Sequence, residues 1–185
     1  MVREPKPIAG ARALLFDRLV DLHPEIKEEE RPFRILNRDQ LKASIRRELE
    51  RLLNTRCSLS LERVGEEDRS VVDYGMPDFS SLSPCSADDQ ALMASIIRQT
   101  IAAFEPRLRQ VYVEVTSLGP GEASVPVQTK CAHDVFEIWE SRPSGEGTLR
   151  VSIDAVMTVG EFNEPVHFPV VLNSMSGAVE IHDSQ

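Results

Sequence analysis

Phe104-Glu105-Pro106-Arg107-Leu108 marks the point at which this chain changes its periodicity. Upstream, apolar residues recur at Leu92, Met93, Ile96, Ile97, Ile101 and Phe104, the spacing of one helical face. Downstream, Val111, Val113 and Val115 alternate with Tyr112 and Glu114, the spacing of a strand. Pro106 disfavours helical geometry at the residue before it, so the helix should stop near Phe104 or Glu105. Glu105 then stands at a helix C-terminus, the end where a carboxylate is electrostatically unwelcome. Arg107 is the cation placed to compensate it. On this chemistry alone the pair reads as an exposed helix end carrying a surface ion pair, worth roughly 0–1 kcal/mol.

Before this point the chain reads as helices. Residues 1–10, with Pro5, Pro7 and Gly10, should be loosely ordered, and a short amphipathic helix is expected from Ala11 to Leu22, with Leu14, Leu15, Leu19 and Leu22 on one side. A polar connector, Glu25 to Arg31, has too little apolar surface to order itself. A second helix starts at Asn37, a good N-cap with Gln40 in capping-box position. Its apolar stripe is Leu41, Ile45, Leu49, Leu52 and Leu53, and Asn54 can terminate it. Its other face carries Arg38, Lys42, Arg46, Arg47 and Arg51, five of the 21 basic residues. That clustering suits either a solvated helix face or a surface that docks an acidic partner. Residues 55–85 hold a weak alternation through Leu59 and Leu61, then Gly75, suited to a positive φ, and Pro77. So long an irregular stretch suggests a functional loop or elements hidden from periodicity. The third helix starts at Ser86, with Asp88 and Asp89 favouring its positive end.

After this point the chain reads as strands: Arg109 to Ser117, Asp134 to Glu140, Thr148 to Thr158, Val166 to Leu172 and Ala178 to His182. Breaks fall at Gly119-Pro120-Gly121, at 144–147 and at Gly160. Helices first and strands afterwards predict an α+β fold, with N-terminal helices packed on a C-terminal antiparallel β-sheet. Residues 1–32 read as an N-terminal extension and 33–185 as a single α+β domain. The short last strand should leave backbone groups near a sheet edge, where an extended arm of another chain can pair.

A net charge of −9 argues against general affinity for nucleic acid or anionic lipid. Cys57, Cys85 and Cys131 are odd in number and lack metal-ligand or redox spacing, which favours reduced thiols in a cytoplasmic protein. No apolar run approaches the roughly 20 residues of a membrane span, and the N-terminus has no signal-peptide core. There is no phosphate-binding glycine loop between a strand and a helix, and no Gly-x-Ser-x-Gly elbow. His23, His133, His167 and His182 are scattered without metal spacing. Cys131 and His133 fall on one face of a strand but lack an orienting third group. No metal, cofactor or catalytic set is expected.

Three segments are familiar in this order and spacing: Arg51-Leu52-Leu53-Asn54-Thr55-Arg56, Ser70-Val71-Val72-Asp73-Tyr74-Gly75-Met76-Pro77-Asp78-Phe79, and Phe104-Glu105-Pro106-Arg107-Leu108. With Leu14-Leu15-Phe16-Asp17-Arg18-Leu19 they resemble the TssE family, baseplate wedge subunits of type VI secretion systems related to a small wedge protein of contractile phage tails. The resemblance implies a non-catalytic role in a cytoplasmic baseplate assembled at the inner membrane, without membrane insertion. It implies the wedge proteins TssF and TssG as partners, with TssK a further candidate, and a small sheet on which the TssB–TssC sheath is built. It makes Glu105, Pro106 and Arg107 the family motif and turns the pair into a partly buried, interface-supporting element. Two alternatives compete: a lysozyme-like cell-wall hydrolase with Glu105 as general acid, and an adaptor that binds a soluble regulator. Arg107 disfavours the first, because a nearby cation lowers a carboxylate's pKa where an acid needs it raised.

Overall fold

Strand β1 (Pro7–Arg12) pairs antiparallel with β2 (Ile35–Asn37), and a short helix, α1 (Leu15–Leu19), follows β1. These elements come from a computed structural model that describes residues 7–19, 24, 25, 27, 35–65, 69–117, 148–173 and 178–181, without the side chains of 16 and 17. Of the helix expected from Ala11 to Leu22, Leu15–Leu19 is helical, Ala11 and Arg12 are strand, and 20–22 lie outside the described residues; residues 7–10, expected to be loose, are strand. Gly10 takes φ +86°, which helix excludes, and pairing with β2 buries Ala11 and Ala13. Of the leucines expected on one side of that helix, Leu15 and Leu19 are 62% and 69% exposed, and Leu22 lies outside the described residues. Long-range backbone pairing has overridden a local pattern. Most of the polar connector and the Asp134–Glu140 strand lie outside the described residues.

Helix α2 (Arg38–Asn54) forms as its sequence dictates. Asn37 Oδ1 accepts from Gln40 N at 2.9 Å, and Asn37 N donates to Gln40 Oε1 at 3.1 Å, a complete capping box. Leu41, Ile45, Leu49, Leu52 and Leu53 are buried. Helix α3 (Ala87–Phe104) starts on Ser86, whose Oγ accepts from Asp89 N, and buries Met93, Ile96, Ile97, Thr100 and Ile101. Leu92 faces outward instead.

The second sheet is an antiparallel meander in the order β3 (Leu108–Ser117), β4 (Thr148–Val159), β5 (Phe162–Asn173), β6 (Val179–Ile181). One face of it forms the core with α2 and α3. The chain is thus α+β, with helices ahead of the antiparallel sheet in sequence. β3 contains a bulge: Arg109 opposes Val156 and Tyr112 opposes Asp154, with Gln110 at φ +52° in the extra residue's place. Strict alternation from Leu108 would point Val113 and Val115 at solvent. The inserted residue flips the parity, so that all three are buried.

Among the described residues of 55–85 there are two 3-10 turns, Arg63–Gly65 and Val71–Asp73, and no strand at Cys57–Glu62. The segment is closed on itself: Met76 N donates to Thr55 O at 2.8 Å and Cys57 N to Met76 O at 2.9 Å. Gly75 sits at the point of closest approach with φ +117°, where an added Cβ would lie 2.5 Å from Thr55 O. Only glycine satisfies both conditions.

Candidate functional site

Glu105 closes α3, donating its backbone N–H to Ile101 O at 2.8 Å and then leaving helical geometry at φ −120°. Pro106 turns the chain, and Arg107 folds back on the carboxylate. Arg107 Nε donates to Glu105 Oε1 at 2.7 Å and Nη2 to Oε2 at 2.6 Å, a two-pronged pairing that only a guanidinium makes. The Arg107 backbone N–H adds a third bond to Oε1 at 3.2 Å. Glu105 is 4% exposed, and the Arg107 side chain is 15% exposed. The pair is therefore buried rather than a surface ion pair. Arg107 Nη1 also donates to Ser44 Oγ on α2 at 3.3 Å, while Thr158 N on β4 donates to Arg107 O at 2.7 Å. One residue thus joins the end of α3, the start of β3, the middle of α2 and the end of β4.

A second arginine approaches the same helix end from the loop side. Arg69 Nη1 donates to the fully buried Thr100 Oγ1 at 2.7 Å, and Nη2 donates to Asp73 O at 2.7 Å and to Gly75 O. Its guanidinium lies 4.8 Å from the centre of the Phe104 ring, which Tyr74 meets edge-on at 5.2 Å. Arg69 thereby staples the Ser70–Phe79 loop to α3. Burial, then the charge of Glu48, pushes the Tyr74 phenol above its ordinary value. Arg56, closing the first familiar segment, stacks 4.7 Å over the Phe79 ring of the second. Three of the four segments that carry the resemblance, well separated in sequence, meet at one corner. Arg69 was not legible as a site residue. Its partners are carbonyls, a hydroxyl and a ring brought there only by the fold, and no local spacing announces them.

The model of the family described as baseplate wedge protein gp25 matches residues 39–160, from α2 to the end of β4. The chain belongs to this baseplate wedge family. TssE is the type VI homologue of the phage wedge protein. Neither a curated protein nor a solved structure matches the chain. The family is a structural one, of contractile, phage-tail-like machinery. The matched residues hold the whole Glu105–Arg107 junction and the Arg69 staple, whereas β5 and β6 follow them in sequence.

The basic residues of α2 in this wedge protein are partly engaged within the chain. Arg38 Nε donates to Glu164 Oε2 on β5 at 2.7 Å, and that carboxylate holds the guanidinium's pKa above its ordinary value. Arg51 pairs with Glu48 one turn earlier. Arg47 is exposed, and Lys42 and Arg46 are half-buried. His167 pairs with Asp154 across β4 and β5 at 2.9 Å. His23, His133, His182 and Cys131 lie outside the described residues, and with them the Cys131–His133 pair. Among the described residues no group of three or more His, Cys, Asp or Glu side chains is placed to hold a metal. No helix among them is long and apolar enough to cross a membrane.

Proposed function

We propose that the chain is a TssE-type wedge subunit of a type VI secretion baseplate, non-catalytic and cytoplasmic, which binds TssF and TssG and templates the first ring of the TssB–TssC sheath. TssK is the further candidate partner. The observation that carries this reading is the buried Glu105–Arg107 bond, which fixes the angle at which the sheet leaves the two helices. A template must present its sheet in one orientation, and a four-element junction built on one residue provides that. The hydrolase reading is disfavoured by the same geometry. Both oxygens of the Glu105 carboxylate are occupied by donors of Arg107, and the residue is 4% exposed, so neither oxygen is presented to a substrate.

The test is fluorescent sheath assembly in cells carrying Arg107→Glu at matched protein level. Loss of sheaths is expected; normal sheath number and length would refute the role of the motif. Peptidoglycan cleavage by the pure protein, abolished by Glu105→Gln, would restore the enzyme reading. The basic face of α2 is proposed to dock an acidic surface of the wedge partners through Arg46 and Arg47 with Arg38, Lys42 and Arg51 around them. Reversing the charge of Arg46 and Arg47 should weaken co-purification with TssF–TssG. Unchanged co-purification makes this face ordinary helix surface.

A further inference from the structure

Val71 and Val72 stand at the tip of the loop that Arg69 holds against α3. They are 88% and 81% exposed, more than any other large apolar side chain among the described residues. Single apolar side chains are common on protein surfaces, but two adjacent ones on a fixed turn are a different case. This turn is fixed at its base. Ser70 N and Oγ donate to Asp73 Oδ2 at 2.9 and 2.8 Å, and Asp73 N donates to Ser70 O at 3.0 Å, so the two valines are enclosed in a closed four-residue turn. Behind it, Arg69 takes the carbonyls of Asp73 and Gly75, and the Met76 and Cys57 backbone bonds tie the far side of the loop to the end of α2. Tyr74, the next residue, is packed edge-on against Phe104. All of this holds the tip in place, and none of it covers the tip.

A side chain displayed in this way is cheap to bury against a partner. The backbone beneath it is already ordered, and valine has a single, restricted side-chain torsion left to freeze. The charge around the tip narrows what that partner can be. Between residues 62 and 78 the sequence carries six carboxylates, at Glu62, Glu66, Glu67, Asp68, Asp73 and Asp78, against Arg63 and Arg69. Arg69 is turned inward onto Thr100 and Phe104. Residues 118–147, the longest stretch outside the described residues, hold five acidic and two basic residues and do not complement an acidic loop. A second copy of this chain is disfavoured in the same way, because two molecules of net charge −9 repel as they approach.

We propose that Val71 and Val72 are an anchor that inserts into an apolar pocket with a basic rim on a neighbouring wedge protein. The corner built by Arg69, Gly75 and Tyr74 then serves as the pedestal that presents it. The placing of the pocket on TssF–TssG rests on the wedge reading; the assignment of the anchor does not.

The test is calorimetric titration of the full chain against the purified TssF–TssG complex of the same system. Val71→Ala and Val72→Ala each remove two methyl groups, and each should weaken binding about tenfold. The double variant should lose at least about thirtyfold, while its thermal unfolding midpoint moves by less than about 2 °C. Glu62→Lys, at an exposed position of the same loop, should weaken binding about two- to fivefold, and unchanged or tighter binding overturns the basic rim. Wild-type affinity in the double alanine variant overturns the anchor and leaves the wedge reading standing. No association of the wild-type chain with TssF–TssG overturns the wedge protein as partner, and the wedge reading with it. A fall of more than about 5 °C in the midpoint of the double variant means that the chain itself covers the valines, and overturns the proposal. Self-association of the wild type that the double variant loses makes a second copy the occupant, and overturns it equally.

Discussion

Replacing Arg107 by alanine should cost this protein a large share of its stability, and the structure sets how large. The substitution removes the Nε and Nη2 donors at 2.7 and 2.6 Å and leaves the buried Glu105 carboxylate with only the backbone N–H at 3.2 Å. Breaking a buried pair from one side costs about 3–5 kcal/mol, because the remaining charge is neither solvated nor paired. A domain of ordinary stability holds about 5–15 kcal/mol. At about 2–4 °C per kcal/mol for a chain of this size, the midpoint of thermal unfolding should fall by roughly 6–20 °C. Arg107→Lys keeps the charge but loses the fork, and should cost about 1.5–3 kcal/mol, the worth of one charge-assisted bond. Glu105→Leu combined with Arg107→Met removes both charges and should recover most of the loss. Urea unfolding at unchanged m reads all three variants against the wild type on one scale. A cost below about 1 kcal/mol for Arg107→Ala would place the pair with surface ion pairs and refute the argument.

Gly75→Ala forces a Cβ to 2.5 Å from Thr55 O at φ +117°, and should cost about 2–4 kcal/mol in the same assay. Arg69→Ala orphans the buried Thr100 hydroxyl and releases the carbonyls of Asp73 and Gly75. A loss of about 2–4 kcal/mol is expected, together with faster amide exchange at Met76 and Cys57. The Ser70 N–H and hydroxyl, with Arg69 and Arg63 adding to them, hold the Asp73 carboxyl below its ordinary 3.8. A depressed folded pKa contributes stability that is present above 3.8 and lost as pH falls through the folded value. The stability difference between wild type and Asp73→Asn should therefore shrink on acidification below that point, and a difference independent of pH would refute the assignment.

What could be read from the sequence divides by the range of the interaction that decides it. The α2 capping box spans four residues, Asn37 to Gln40, and its apolar stripe repeats within the helix, so both were legible. Gly75 was legible as a positive-φ position because bulkier residues resist that conformation. The β1 strand was not, since it exists by pairing with residues some 25 positions away, and the leucines that follow it mimic a helical stripe. The β3 bulge was not either. Leu108, Val113 and Val115 look out of phase until β4 is laid beside them. At the candidate site, Glu105 and Arg107 were legible as a pair from their spacing, but their burial follows from Ser44 and Thr158, distant residues that seal the junction.

The Glu105–Arg107 pair and the Arg69 staple solve one electrostatic problem from two sides. The last turn of α3 collects negative charge: the carbonyl end of an 18-residue helix, then a glutamate placed directly on it. No basic residue lies in that last turn to offset it. Both compensating guanidiniums come from outside the helix, Arg107 from the turn that follows and Arg69 from the loop that precedes α3. A lysine or arginine within the helix would have neutralised the same charge while tying nothing else down. Placed where they are, the two arginines convert a local excess of charge into contacts that fix α3 against α2, against the Ser70–Phe79 loop and against the sheet. The acidic residue that local reasoning marks as misplaced is what the rest of the corner is built around.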